Sequence, residues 1–101
     1  MKGGYQLTPV ALAEGMALAR NLFNAQPINM DYENIPTAVF CQPTIGTVGL
    51  TENQARERFG EVDVYKSDFK PMKHTISGRD EKTFMKLIVE DAGDRVVGIH
   101  M

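Results

Sequence analysis

An α+β fold is predicted, a long N-terminal helix followed by an antiparallel sheet with one short helix. Three features carry this reading. Thr8-Pro9 opens a run of apolar residues long enough for several helical turns. Thr51 with Gln54 forms a capping-box pattern for a second, shorter helix. Three runs rich in strand-forming residues, Val62 to Phe69, Thr83 to Glu90 and Arg95 to Met101, then follow with turn residues between them.

The chain has 101 residues, 43% hydrophobic and 24% charged, which suits one small soluble core. A net charge of -2 lacks the basic excess that phosphate-backbone binding needs, so no nucleic-acid partner is expected. Tyr65, Phe69 and Phe84 are the residues that a base-stacking sheet would use, and the acidic balance argues against that use. No apolar run approaches the roughly 20 residues of a membrane span, and no leader pattern opens the sequence. A cytoplasmic protein without a membrane contact is therefore expected. Cys41 is the single cysteine, so neither an internal disulfide nor a C-x-x-C pair is present.

In chain order, Met1 to Gln6 contains Gly3-Gly4 and no periodicity, the mark of a flexible entry segment. Thr8 is expected as N-cap with Pro9 at the first helical position, and the helix is expected to run to about Asn24. Its apolar residues spread over most of the circumference, with only Glu14 and Arg20 clearly wanting water. A helix apolar nearly all round is normally buried in a larger protein, so the chain is expected to be part of one. The free N–H groups of its first turn, with the positive end of the helix dipole, suit negative charge. Ala25 to Ile35 reads as a polar connection and a domain boundary.

Pro36 and Pro43 bracket a strand expected over Thr37 to Gln42, in which Cys41 is expected to be a buried, inert side chain. Gly46 and Gly49 interrupt Ile45 to Leu50, which predicts a bent strand whose backbone lies close to something. Thr51 to Phe59 is the short helix, stopped by Gly60. Lys70 to Lys82 is expected to be a long polar loop. The last two strands form a hairpin around Asp91 to Asp94, in which Val89 is expected opposite Val97, Leu87 opposite Ile99 and Met85 opposite Met101. That apolar face requires a cover, a second sign of a larger parent. Glu52, Glu57 and Glu61 read as a solvated helix face rather than an acid-base pair. His74 and His100 have no Cys, Asp or Glu spaced to complete a metal site, so no metal and no catalytic residue is assigned.

Leu7-Thr8-Pro9-Val10-Ala11, Ile35 to Phe40 with Ile45 to Glu52, and Phe84 to Val89 with Val96 to Met101 together resemble the glutathione-disulfide reductases, members of the FAD-dependent flavoprotein disulfide reductases. The resemblance covers nearly the whole chain from Leu7 onward. It implies the end of an FAD-binding domain over 1–25, a linker over 26–35 and part of a dimerisation domain over 36–101. It further implies Leu7, Thr8 and Ala11 as FAD contacts, Ala38 and Phe40 near the nicotinamide of NADPH, and Met16 and Met72 near glutathione disulfide. The implied assembly is a homodimer in which Met72 faces the partner subunit.

The family's redox-active cysteine pair, its glycine-rich nucleotide loops and its catalytic His-Glu pair are not in this sequence, and Met16 stands where several glutathione reductases have an arginine. The 101-residue chain alone is therefore expected to be inactive and to hold FAD poorly. Two other readings are a non-catalytic association module and part of a sister enzyme acting on trypanothione or dihydrolipoamide.

Overall fold

The computed structural model describes residues 4–24 and 27–101. The expectations for the first three residues and for Ala25 and Gln26 lie outside the described residues. In chain order the elements are α1 (Thr8–Phe23), β1 (Thr37–Val39), β2 (Ile45–Gly49), α2 (Glu52–Phe59), β3 (Val62–Phe69), α3 (Lys73–Ser77), β4 (Thr83–Glu90) and β5 (Arg95–His100). The chain divides into two compact units, Met1–Tyr32 and Glu33–Met101.

In the first unit, Leu7 is the N-cap, extended at φ -123 and ψ 134, and its carbonyl accepts from the Ala11 N–H at 3.0 Å. Thr8 is therefore the first helical residue and not the cap expected for it, because the carbonyl one residue earlier already takes the first helical bond. No side chain caps this turn. Val10 and Ala17 are buried on α1. At helical spacing they share one stripe with Glu14 and Asn21, and these two polar residues hold the returning chain. The Asn21 side chain donates from Nδ2 to the Ile28 carbonyl at 2.9 Å and accepts the Ile28 N–H at 2.6 Å. Tyr32 donates its hydroxyl to Glu14 Oε1 at 2.8 Å. Leu12, Met16, Leu18, Leu22 and Phe23 are exposed.

The second unit is a five-stranded antiparallel sheet in the order β1-β2-β5-β4-β3. One face is covered by α2, which packs against β3, β4 and β5. Thr51 and Gln54 form the full capping box expected from the sequence, and Gly60 ends the helix at φ 80. Ala55, Val62 and Ile88 make the core, with Leu50, Phe59, Val64 and Val97 packed around them.

The hairpin differs from the expected register. Leu87 does face Ile99, but a bulge between Ile88 and Val89 sets Val89 opposite Val96 and Glu90 opposite Arg95. Val97 is the extra residue, turned toward α2 to join the core, so the covered face is the one centred on Ile88. The opposite face carries Val48, Ile99, Leu87 and Tyr65 in one cross-strand row.

Two further expectations change. β1 ends at Val39, because Val39 and Ile45 close its pairing with β2 and residues 40–44 form the connection; Cys41 is thus exposed, its Sγ donating to the Pro43 carbonyl at 2.9 Å. Lys70 to Lys82 is not loop throughout, since α3 forms within it and ends at Gly78 in the left-handed conformation. The sheet therefore has two short helices beside it rather than one.

Ile88 is fully buried, whereas Ile76 on α3 is 95% exposed. Ile88→Ala is expected to cost about 3 kcal/mol through lost contacts and a cavity, and Ile76→Ala less than about 0.5 kcal/mol. Urea unfolding followed by circular dichroism checks the contrast.

Candidate functional site

The residues that the sequence singles out fall in three places. Leu7, Thr8 and Ala11 share the leading turn of α1, where Thr8 and Ala11 are exposed and Leu7 is half-buried. This turn holds no acidic residue and no side-chain cap, and Pro9 has no N–H, so the Thr8 and Val10 amides are the donors left without a capping side chain. Such a turn suits an acceptor that carries or develops negative charge. Met16, farther along the same helix, is exposed.

Ala38 lies in β1 and pairs with Gly46, whose added Cβ would meet the Met101 side chain at 3.3 Å. Together with Pro36, Val48, Ile99 and Met101 these residues line a shallow, largely apolar groove of about 280 Å³ on the sheet face opposite α2. Phe40 does not line it: it lies past the end of β1 and is 92% exposed. Met72, at the start of α3, is 89% exposed. The structure thus brings Ala38 into a recess and leaves Phe40 and Met72 standing out from the surface.

The segment that displays Met72 is held by polar contacts. Lys82 Nζ lies 2.7 Å from Asp68 Oδ2, and this bond holds the Asp68 carboxyl below its ordinary range while raising the Lys82 ammonium. Lys70 pairs with Asp80 at 3.8 Å, and Arg79 with Glu81 at 3.4 Å. Inside this frame His74 is buried, with Nδ1 3.3 Å from Ser77 Oγ and Nε2 3.4 Å from Glu81 Oε2. Sequence spacing missed this arrangement, although Gly78 four residues after His74 is a C-cap signal that points to it.

His100, the other histidine, ties three segments together. Its Nε2 lies 3.0 Å from the Leu50 carbonyl, which only accepts, so Nε2 carries the proton, and Nδ1 accepts from the Thr47 hydroxyl in the neutral ring. Neither histidine belongs to a metal cluster, and no group of three or more metal-ligating side chains occurs among the described residues.

Glu52 is the most perturbed acid. Lys86 donates to its carboxylate at 2.7 Å and Arg56 at 3.0 Å, and these bonds, Lys86 first, hold its pKa down to about 2. The contact pins the first turn of α2 to β4. It has no vacant reaction partner and reads as structural.

The chain matches the family described as "Pyridine nucleotide-disulphide oxidoreductase, dimerisation domain" over residues 35–101 and belongs to that family. It is 56% identical over 95 residues to a chloroplastic/mitochondrial glutathione reductase of Pisum sativum, a match spanning 94% of this chain and 17% of the relative. It is 50% identical to a glutathione reductase of Burkholderia cepacia, over 94% of this chain and 21% of the relative. A trypanothione reductase of Trypanosoma congolense is 44% identical over 98% of this chain and 20% of its own. Among solved structures, the HOCl-induced flavoprotein disulfide reductase RclA from Escherichia coli superposes with a TM-score of 0.83 at 27% identity, covering 98% of this chain and 23% of that one. The chain therefore spans about a fifth of the length of the relatives it matches. No helix among the described residues is long and apolar enough to cross a membrane.

Because the folded-state pKa of Glu52 is depressed below its ordinary 4.5, its stabilisation is present above that value and is lost as pH falls toward about 2. Lys86→Met is expected to move the Glu52 titration upward, toward 4.5, and to flatten the loss of stability across this window. Carboxyl carbon NMR of Glu52 and acid unfolding of both proteins measure it.

Proposed function

We propose that this chain is part of an FAD-dependent, NADPH-using disulfide reductase acting on glutathione disulfide, and that it supplies flavin-edge contacts and dimer surface. The observation that carries the reading is the uncapped, acid-free leading turn of α1, within a chain about half identical to glutathione reductases. FAD supplies the redox centre when bound. The residues present fit its electron-accepting edge: Leu7, Thr8 and Ala11 surround the Thr8 and Val10 amides, and no carboxylate competes for them. Their role is to hold and orient an acceptor whose negative charge grows on reduction.

Ala38 and Phe40 are assigned to the nicotinamide side. The small Ala38 keeps the groove open, and Phe40 offers a flat apolar surface beyond the strand. Met16 and Met72 are assigned to glutathione disulfide. A thioether gives contact area without charge, so Met72, presented on the ion-paired segment, is a positioning contact in a homodimer. Residues 35–101, which carry the family match, have a dimerisation role in this reading, and the protein is proposed to act in the cytoplasm. The chain by itself lacks the redox cysteine pair and is assigned no turnover.

The complete reading frame is expected to be yellow and to oxidise NADPH when given glutathione disulfide. In it, Met72→Ala is expected to raise KM for glutathione disulfide about fivefold with kcat within about twofold. A flavin-containing protein that ignores glutathione disulfide and turns over trypanothione disulfide or lipoamide moves the assignment to a sister enzyme. A colourless protein that only self-associates supports the association module instead.

A further inference from the structure

The sequence singles out Asn21 and Tyr32 for nothing, yet both make specific bonds between α1 and the chain that leaves it. Asn21 engages both backbone groups of Ile28, as a neighbouring strand would. Tyr32 reaches Glu14, two helical turns before Asn21. The spacing is self-consistent: seven helical residues rise roughly 10 Å, and four extended residues span at most roughly 13 Å. The segment 28–32 therefore runs back along α1 as an extended strap fastened at two points.

We propose that Asn21 and Tyr32 are a two-point latch that closes this strap on the Val10–Ala17 stripe of α1 and fixes where the chain leaves the helix. The exit is set beside the second turn, by Glu14, instead of beyond Phe23. Ala17 lies on the stripe between the two fastening points and is buried, while the exposed apolar residues Leu12, Met16, Leu22 and Phe23 lie on other faces. The latch thus decides which side of an apolar helix is closed by its own chain and which stays exposed. At Glu14 the fastening is charge-assisted, and the neighbouring carboxylate raises the Tyr32 phenol above its ordinary value, first through the hydrogen bond. This inference does not depend on the flavin reading, because its readouts come from the chain itself.

Hydrogen exchange resolved to single amides tests it in the complete reading frame. The Ile28 amide is expected to be protected, and Asn21→Ala to speed its exchange at least about fivefold. Amides within α1 should keep their protection, since alanine is the better helix former. Asn21→Asp, which retains the oxygen that accepts from Ile28, should restore much of the protection. Tyr32→Phe should speed chymotryptic cleavage in the strap, whereas Glu14→Gln, which keeps an acceptor for the hydroxyl, should not. An Ile28 amide that exchanges freely in the parent chain, or as slowly in Asn21→Ala as in the parent, overturns the latch.

Discussion

The sheet unit depends on how closely two backbones approach where β2 ends beside β5. Gly49 and Gly98 face each other there, and a Cβ on Gly49 would run into the Val97 carbonyl while one on Gly98 would run into the Leu50 carbonyl. Gly49 also adopts φ 78, a conformation that glycine takes at little cost. This closeness lets the Leu50 N–H reach Val97 at 2.9 Å and lets His100 donate to the Leu50 carbonyl. Thr51 is consequently fixed over the sheet, ready to cap α2, and Ala55 comes down on Ile88. The bulge follows the same logic, since Val97 leaves the alternating register and fills the space beneath the helix.

Around this junction, polar contacts select between packings that apolar burial alone would leave open. Lys86 and Arg56 hold Glu52 at the first turn of α2, and Arg95 meets Glu90 where the hairpin closes. Lys82 and Asp68 join the base of the segment that carries Met72. In the first unit, Asn21 and Glu14 do the corresponding work for α1. The exposed pairs among these, such as Lys82–Asp68, contribute little net stability, so their main consequence is geometric.

The functional picture divides along the same line. The leading turn of α1 offers uncommitted amides, and the sheet offers an apolar groove with Ala38 in its wall. Neither is a reaction centre by itself. In the function proposed above, each would orient a group held largely by other residues, and the chain spans about a fifth of its relatives.

The helix from Thr8, the capping box at Thr51, the strand Val62–Phe69 and the Leu87–Ile99 pairing were all legible in the residues, because each follows from local chemistry or from a period of two or 3.6. Cys41 was misplaced because the end of β1 is set by where β2 pairs with it, not by the β-forming run itself. The bulge at Ile88, the burial of His74 and the strap on α1 were invisible for a shared reason. Each depends on a side-chain pairing or a register shift that leaves no periodic or capping pattern in the sequence and is fixed only by the path the backbone takes. The amino-acid sequence determined the long helix, the capped helix, the three main strands and that the chain resembles a flavoprotein reductase; only the tertiary structure decided α3, the end of β1, and which face of the sheet and which stripe of the helix are closed, because contacts between elements set those choices.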